Sequence, residues 1–280
     1  MLKADKKYSF VITAYNSEQY IAGCIQAALN QDYPNIEVIV LDDGSTDMTG
    51  KICLSIKDPR FRYIRSKRLG RCRALNEAIS HAEGEFIAIN DADDLSLPWR
   101  IRYAAKFFDQ YPDLAYIATN FFRTDHFKAT VPDDLKSINP ESDYEPVIWP
   151  SRIAVYRRNL FNHSTLVFPK SVWEESGGYD ESLVVNEDYD FYLRALKFGR
   201  AALLPGKTVL WYSNPYGFFK SITIKAYLKD MDRIKKRAFD LLELPFWMKP
   251  YYPFWVKIYK TVNFYRRLQM SLKPSKILRS

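Results

Sequence analysis

Most of the chain alternates short apolar runs with longer segments whose apolar residues recur every three or four positions. Short runs rich in Val, Ile, Phe and Tyr are typical of buried strands, and the periodic segments are typical of amphipathic helices. The pattern predicts strands over residues 8–13, 35–41, 61–65, 85–90, 114–118 and 164–168. It predicts helices that end near Asn30 and Ile56, and others over residues 71–82, 98–110, 171–176 and 189–198. Because strands that alternate with helices are joined by right-handed crossovers, we predict an α/β, doubly wound, mainly parallel sheet with helices on both faces.

Two further local features follow from the same pattern. Asn16 or Ser17 is expected to cap the first helix, because a side-chain oxygen there can accept from the free N–H groups of the first turn. Residues 120–148 are polar, contain proline and show no strong period. We therefore expect them to form loops over the site, where substrate specificity is usually set.

Polar residues follow three of the predicted strands at the point where each strand ends. They are Thr13, Ala14 and Tyr15 after the first strand, Asp42 and Asp43 after the second, and Asp91, Asp93 and Asp94 after the fourth. Ligands of doubly wound sheets bind beyond the carboxyl ends of the strands, so these residues are expected to share one edge. The sequence contains neither Gly-x-Gly-x-x-Gly after the first strand nor Gly-x-x-x-x-Gly-Lys-Ser/Thr. Phosphates bound at this edge would therefore be held by a metal and side chains.

Three neighbouring carboxylates repel one another, so the group 91–94 calls for a divalent cation or a proton-handling role. The alternative is a helix N-terminus in which Asp94 caps a helix beginning near Pro98. The turn after the second strand has a similar alternative, a strand-to-helix turn that needs Gly44 in either case.

The composition fits one large α/β domain with an extension, because 47% of the 280 residues are hydrophobic and 16% are aromatic. The three cysteines show no paired spacing, which argues against a disulfide framework or a zinc site and favours a reducing, cytoplasmic compartment. We expect neither a secretory signal nor a membrane-spanning run.

Positive charge is concentrated at the C-terminal end. Residues 217–280 contain 15 Lys and Arg against 4 Asp and Glu, whereas residues 1–216 contain 26 against 29. The same segment includes an amphipathic helix over 220–242, an aromatic cluster over 245–255, and an apolar face formed by Trp255, Ile258, Val262 and Tyr265. Basic and aromatic residues together are typical of an anchor at a membrane surface, which we expect here. The alternative is that these helices pack on the main domain or on a second subunit.

An ordered series of motifs resembles family 2 glycosyltransferases of the GT-A fold. It comprises Val-Ile-Thr-Ala-Tyr-Asn at 11–16, Val-Leu-Asp-Asp-Gly-Ser-Thr-Asp at 40–47, Gly-x-x-x-Ala-Leu-Asn at 70–76, Ala-Glu-Gly-Glu-Phe-Ile-Ala at 82–88, Asp-Ala-Asp-Asp at 91–94, and Asn-Glu-Asp-Tyr-Asp-Phe-Tyr-Leu-Arg at 186–194. The resemblance covers roughly residues 8–212 and is specific as a series.

The resemblance implies roles for the residues that match the family's motifs. Nucleotide binding is implied for Thr13, Ala14, Tyr15, Asp42 and Asp43, with Arg71 or Arg73 near the nucleotide. The Asp-x-Asp pair, Asp91 and Asp93, with Asp94 beside it, would hold Mn²⁺ or Mg²⁺. Asp188 matches the general base, Glu187 could substitute for it, and His163 is a candidate for contacts with the diphosphate or the acceptor. The alternative for Asp188 is a helix N-cap.

The implied activity is that of an inverting, metal-dependent glycosyltransferase (EC 2.4 class). It would transfer one sugar from a nucleotide sugar, expected to be a UDP-sugar, to a saccharide or lipid-linked glycan in cell-surface polysaccharide synthesis. Transfer of a single sugar is expected because the Gln/Arg-x-x-Arg-Trp motif of processive relatives is missing. We expect a peripheral protein on the inner face of the cell membrane.

The predicted domains are a catalytic domain over 1–216, with a nucleotide-sugar half (1–97) and an acceptor half (98–216), and the extension 217–280. Two other functions agree less well with the sequence. A nucleotidyltransferase would leave the motifs at 70–76 and 186–194 without a role. A nucleic-acid-binding protein is not expected, because residues 1–216 carry a net negative charge.

Overall fold

The computed structural model describes residues 6–138, 146–215, 217 and 222–248. The strands in these residues are β1 Tyr8–Ala14, β2 Ile36–Asp43, β3 Phe61–Ser66, β4 Phe86–Asp91, β5 Leu95–Ser96, β6 Leu114–Thr124, β7 Val167–Pro169 and β8 Arg200–Tyr212. The α-helices are α1 Ile21–Leu29, α2 Thr49–Ser55, α3 Arg71–Ser80, α4 Arg100–Gln110, α5 Asp133–Lys136, α6 Arg152–Arg157, α7 Lys170–Ser176, α8 Glu187–Ala195 and α9 Ile224–Leu241. Short 3-10 helices cover His163–Thr165 and Phe246–Met248.

All eight strands form one sheet in the order β3-β2-β1-β4-β7-β6-β8-β5. The first four strands in this order are parallel, as the alternation of strands and helices predicts. Strand β7 runs antiparallel to both of its neighbours, β6 pairs with β8 in parallel, and β5 is antiparallel to β8. The predicted doubly wound, mainly parallel sheet is confirmed, with β7 and β5 as its antiparallel strands.

Apolar side chains cover both faces of the sheet. In β1, Val11 belongs to a buried cluster with α3, α8 and α9, whereas Phe10 and Ile12 belong to a second cluster with α1 and α4. Successive side chains of a strand point to opposite faces, so a run that is apolar at every position is buried on both. This burial explains why β1, β2 and β4 read as continuous apolar runs.

The structure corrects the predicted end of β6. We predicted a strand over 114–118 and loops from residue 120, but β6 continues to Thr124, and α5 follows. The reason is its long parallel pairing with β8, in which Phe122 lies opposite Leu210. Strand β8 was not predicted, because Pro205, Gly206 and Lys207 interrupt its apolar pattern. The predicted strand over 164–168 is likewise a 3-10 helix followed by β7.

Two predicted helix caps are wrong. Helix α1 begins at Ile21 without a side-chain cap, and the Oδ1 of Asn16 instead accepts from the N–H of Thr46, 2.9 Å away. Helix α4 begins at Arg100 without a side-chain cap, and the Oδ1 of Asp94 accepts from the N–H of Tyr212, 2.9 Å away. Both side chains therefore connect loops at the edge of the sheet, and neither caps a helix.

Helix α9 is the described part of the amphipathic pattern predicted over 220–242. Its apolar residues Tyr227, Met231, Ile234 and Ala238 are buried in the same cluster as α3 and α8. The predicted division at residue 216 stays a prediction. The apolar face that includes Trp255, and most of the aromatic cluster over 245–255, lie outside the described residues.

Candidate active site

The strand ends bring the acidic turns to one edge of the sheet. Thr13 lies opposite both Leu41 of β2 and Asp91 of β4, and Ala14 lies opposite Asp42. The loop after β1 is tied to the turn after β2, because the N–H of Asn16 donates to the Oγ of Ser45 over 2.9 Å. The shared edge expected from the sequence is therefore observed.

The three carboxylates at the end of β4 have different partners. The Oδ1 of Asp91 accepts from the Nη2 of Arg71 over 2.6 Å, and the Oδ2 of Asp93 accepts from the Nδ2 of Asn214 over 2.9 Å. Asp94 is 1% exposed, and its Oδ2 has no hydrogen-bond partner among the described residues. One positive side chain therefore contacts this group of three acids directly.

The three acids also differ in their pKa values. Burial tends to raise the pKa of Asp91, but the charge of Arg71, together with the charge of His163 and the hydrogen bonds from Arg71 and Ser164, lowers it to about 2. Burial, and then the charge of Asp91, raise the pKa of Asp93. Burial and the charges of Asp93 and Asp91 raise the pKa of Asp94 well above its usual value. The charges of Arg71 and of the buried Arg100 therefore compensate Asp93 and Asp94 only in part.

A divalent ion fits this group of acids. Among the described residues, no three His, Cys, Asp or Glu side chains are placed to hold a metal ion by themselves. Mg²⁺ and similar ions at nucleotide sites are commonly bound by one or two carboxylates, with phosphate oxygens and water completing the shell. The half-buried Asp93 and the unpartnered Oδ2 of Asp94 are suited to that arrangement.

Arg71, the first residue of α3, joins the acidic turn to the start of α8. Its Nη2 contacts Asp91, and its Nε donates to the Oε1 of Glu187 over 2.5 Å. The same Nη2 lies 3.0 Å from the Nδ1 of His163. One guanidinium therefore connects residues that are far apart in the sequence, which a fork of N–H donors does well.

His163 is 7% exposed, and its ring has a defined proton arrangement. A guanidinium can only donate, so the Nδ1 of His163 accepts from Arg71 and the Nε2 donates to the Oη of Tyr179, 2.8 Å away. Burial, together with the charge of Arg71, lowers the pKa of His163 to about 4. The ring is therefore neutral near pH 7 and orients Arg71.

Glu187 and Asp188 begin α8 but lie in different surroundings. Glu187 is 6% exposed and paired with Arg71, so taking up a proton would cost it that ion pair. The Oδ2 of Asp188 accepts from the Nδ2 of Asn159 over 3.0 Å. Burial, and then the charge of Glu187, raise the pKa of Asp188 to about 7. Asp188 is the better suited of the two to accept a proton at neutral pH.

The N-cap alternative for Asp188 is wrong. The N-cap position of α8 is Asn186, which has a left-handed backbone (φ 61°) and makes no side-chain cap.

In the turn after β2, the carboxylate of Asp42 accepts hydrogen bonds from neighbouring groups of the protein. The Oδ1 of Asp42 accepts from the N–H of Ser45, and the Oδ2 accepts from the Oη of Tyr63, both over 2.8 Å. Gly44 has φ 75°, and a Cβ at this residue would lie 2.8 Å from the N atom of Arg68. The turn therefore requires glycine for its backbone conformation and for the close approach of the next loop.

Asp43 is held by that next loop. Its Oδ1 accepts from the N–H of Leu69 over 2.5 Å and its Oδ2 from the N–H of Gly70 over 3.1 Å, and Arg68 forms an ion pair with it. The guanidinium of Arg68 lies 3.5 Å from the ring centroid of Tyr15, which is 44% exposed. A ligand that bonds to the Asp43 carboxylate would have to share it with these donors or displace them.

Comparison with known proteins decides the family. The model of "Glycosyl transferase family 2" matches residues 9–167, which include β1, β2, β4 and the acidic turn. The chain belongs to glycosyltransferase family 2. The resemblance stated from the motifs is thereby confirmed.

Individual relatives agree with the family. The glycosyltransferase is 31% identical to chondroitin synthase of Escherichia coli over 207 residues, which are 71% of this chain and 28% of that protein. The chain therefore spans less than a third of that relative.

Solved structures confirm the GT-A fold. TarS of S. aureus in complex with UDP-GlcNAc has a TM-score of 0.67 at 21% identity, over 81% of this chain and 65% of that one. The mannosyltransferase PcManGT of Pyrobaculum calidifontis, in complex with GDP-Man and Mn²⁺, has a TM-score of 0.65 at 19% identity, over 91% and 70%.

The structure separates the two candidate arginines of the glycosyltransferase. Arg71 contacts the acidic turn, whereas Arg73 is exposed and pairs with Glu181 over 3.1 Å. The geometry favours Arg71 as the basic residue near the nucleotide.

Sequence reasoning missed several residues of the site. Arg68 could have been noticed, because it belongs to a basic loop that follows β3 at the same edge. Tyr212, Asn214 and Asn159 gave no signal, because the elements that carry them were not predicted or were read as loops. Arg100 is the deepest of the missed residues. It is 1% exposed and its Nη2 donates to the carbonyl oxygens of Ile89 and Leu166 over 2.7 and 3.1 Å, which joins the end of β4 to the segment before β7.

No helix in the described part of the glycosyltransferase has the length and apolar composition needed to cross a membrane.

Proposed function

We propose that this glycosyltransferase transfers a single sugar from a nucleotide sugar, expected to be a UDP-sugar, to a saccharide or lipid-linked glycan, with inversion at C1. One observation carries the proposal. Asp93 and Asp94, whose pKa values are raised, and the half-buried Asp188, whose pKa is about 7, are connected through Asp91, Arg71 and Glu187 at one edge of the sheet. Sugar transfer requires a binding site for the diphosphate and a general base, and we assign both to this edge of the sheet.

The reaction would proceed in one displacement. Asp188 takes the proton of an acceptor hydroxyl, whose oxygen then bonds to C1 of the donor sugar. The bond from C1 to the phosphate oxygen breaks, and the nucleoside diphosphate leaves with the electron pair. Asp93, with Asp91 and Asp94, would hold Mn²⁺ or Mg²⁺, which would neutralise the leaving diphosphate. Attack from the face opposite the leaving group gives inversion.

The nucleotide is proposed to bind between the turns after β1 and β2. Tyr15 offers an exposed ring, and Thr13 and Ala14 offer backbone groups at the end of β1. Asp43 would accept from an N–H of the base, with Asp42 shaping the turn beneath it. The nucleotides UDP and GDP-Man in the TarS and PcManGT complexes support a nucleotide-sugar donor.

A panel of nucleotide sugars tests the function. UDP-GlcNAc, UDP-glucose, UDP-glucuronate and GDP-mannose are supplied with Mn²⁺, and release of nucleoside diphosphate is followed with water as acceptor. Asp93→Ala should abolish release, whereas the matched control Asp109→Ala, which removes an exposed partner of Lys6, should not. Equal release by wild type and Asp93→Ala would remove the assignment of the metal site.

A membrane surface is the second proposed partner. The exposed side of α9 bears Lys225, Lys229, Arg233 and Lys236, and the exposed Phe246 and Trp247 follow the helix. Rings at headgroup depth and cations on anionic lipid are the usual requirements of an interfacial anchor. Such an anchor would place the protein on the cytoplasmic face of the membrane, close to a lipid-linked acceptor for cell-surface polysaccharide.

Co-sedimentation tests the anchor. The full chain should pellet with vesicles that contain anionic lipid and should prefer them to DNA at matched salt. A chain without residues 245–280 should pellet less, and an unchanged pelleted fraction would contradict the anchor.

A further inference from the structure

Helix α9 contacts the segment that carries the proposed base. The family match ends at residue 167, so it covers neither α8 nor α9. Besides the exposed Arg233, which pairs with Asp180, three side chains of α9 bond to residues 180–190 from the buried or half-buried side of the helix. They are Asp230, Lys235 and Arg237.

Asp230 bonds to the backbone just before α8. Its side chain is 4% exposed, and its Oδ2 accepts from the N–H of Val184 over 2.8 Å and of Val185 over 3.0 Å. A buried carboxylate that accepts from two backbone N–H groups forms strong, charge-assisted hydrogen bonds. This one side chain therefore holds the backbone immediately before Asn186.

The start of α8 needs such support. Asn186 has φ 61°, a left-handed conformation that is uncommon for residues other than glycine, although asparagine adopts it more often than most, and it does not cap the helix through its side chain. Asp188 lies in the first turn, two residues after Asn186. Where the carboxylate of Asp188 lies therefore depends on how the chain enters this turn.

Two further side chains on the buried or half-buried side of α9 bond to the rest of the segment. The Nζ of Lys235 donates to the Oη of Tyr189 over 2.5 Å. The Nη1 of Arg237 donates to Asp180 over 2.9 Å, and its Nη2 donates to Asp190. One helix thus holds the segment before, at and after the position of the base.

We propose that Asp230 is a positioning residue for Asp188: it fixes the backbone of Val184 and Val185 so that Asp188 meets the acceptor hydroxyl. The inference rests on the proposed function, in which Asp188 is the base. A general base must lie within hydrogen-bond reach of the proton that it takes, and a displacement of about 1 Å can cost roughly 100-fold in rate.

Three variants test the role. Asp230→Ala removes the acceptor, Asp230→Asn keeps one oxygen that can accept, and the control Asp232→Ala removes an acid of the same helix whose carboxylate pairs with Lys236. Each is assayed with the nucleotide sugar that gives the fastest release in the panel above. We expect Asp230→Ala to lower kcat roughly 10- to 100-fold. The KM of the donor and the Kd of UDP should stay within about twofold, because these depend on the turns after β1, β2 and β4. Asp230→Asn should recover most of kcat, and Asp232→Ala should match the wild type.

Hydrogen exchange gives a readout that does not depend on turnover. The amides of Val184 and Val185 should exchange faster in Asp230→Ala than in the wild type or in Asp232→Ala. If Asp230→Ala fails to fold, the partial loss in Asp230→Asn, with faster exchange at the same two amides, decides the question.

The measurements distinguish a failure of the positioning role from a failure of the proposed function. A folded Asp230→Ala with wild-type kcat would overturn the positioning role, and so would a loss of UDP affinity equal to the loss of kcat. A wild type that releases no nucleoside diphosphate from any donor would refute the proposed function. In that case, unchanged exchange at Val184 and Val185 in Asp230→Ala would show separately that α9 does not hold this segment.

Discussion

The glycosyltransferase has two acidic turns at one edge of its sheet, and they differ in how their carboxylates are satisfied. In the turn after β2, the oxygens of Asp42 and Asp43 accept from Ser45, Tyr63 and the loop 68–70. In the turn after β4, burial and mutual repulsion raise the pKa values of Asp93 and Asp94. The carboxylates of the first turn are satisfied by donors of the protein itself, whereas those of the second turn would be stabilised by a bound cation. Similar Asp-Asp sequences thus differ because of the donors that the fold brings to them.

The largest expected effect is on turnover, which should respond differently to substitutions in the two acidic turns. Asp93→Ala should lower kcat/KM by on the order of 10³-fold, because the charge of the leaving diphosphate would lose several kcal/mol of stabilisation. Asp43→Ala should act mainly by raising the KM of the nucleotide sugar. Steady-state release of nucleoside diphosphate measures both. A larger loss of kcat in Asp43→Ala than in Asp93→Ala would reverse the comparison.

The next effect concerns Asp188, a third acid at the same edge. Asp188→Asn should lower kcat by roughly 100-fold or more, because the acceptor loses its general base. Burial and the charge of Glu187 place the pKa of Asp188 at about 7, and a base acts only when deprotonated. In the wild type, kcat/KM should therefore rise as pH increases through about 7 and then level off. A profile that stays flat from pH 5 to 8 would exclude Asp188 as the base.

Substitutions in the two turns should also differ in their effect on the free energy of unfolding. Asp42 is fully buried, so Asp42→Asn, which exchanges two hydrogen bonds to a carboxylate for hydrogen bonds to a neutral amide, should lower the free energy of unfolding by about 1–3 kcal/mol. The pKa of Asp93 is higher in the folded protein than in the unfolded chain, so its ionised form weakens the fold once the pH exceeds the unfolded value. Asp93→Asn should therefore cost no stability at pH 7 without metal. Urea unfolding measures both variants, and a stable Asp42→Asn with an unstable Asp93→Asn would contradict the account.

The smallest effect is expected for Arg68. It pairs with Asp43 but its side chain is 49% exposed, and exposed ion pairs contribute less than about 1 kcal/mol. Arg68→Ala should therefore change the free energy of unfolding by less than that amount, because the N–H groups of Leu69 and Gly70 still hold Asp43. The same urea titration measures it. A loss as large as that of Asp42→Asn would show that the ion pair dominates.

The sequence was sufficient for the first half of the fold and for the acidic turns. Buried parallel strands are short apolar runs, and β1, β2 and β4 are such runs, each followed by a turn or a helix. The edge strand β3 is partly exposed and contains Arg62 and Arg65. The pairing of β6 with β8 was not predictable in this way, because Pro205 and Gly206 interrupt the pattern and the pairing joins distant segments. Register over such distances is decided by packing.

Side-chain partners were the least predictable feature of the site. The motifs placed Arg71 or Arg73 near a nucleotide, but the contacts of Arg71 with Asp91, Glu187 and His163 depend on how α3, β4 and α8 meet. Likewise, the apolar spacing of α9 predicted a buried face without indicating what would cover it. A period of three to four residues reports which side of a helix is buried, and the partner is set by the assembled fold.

Binding of UDP with and without Mn²⁺ tests the central claim most directly, namely that the turn after β4 is the seat of the metal and the diphosphate. Calorimetry on the wild type should show UDP binding at least about tenfold tighter with Mn²⁺, because the ion would bridge the diphosphate and Asp93. In Asp93→Asn, UDP should bind equally with and without the ion. The same tightening by Mn²⁺ in Asp93→Asn as in the wild type would contradict the account.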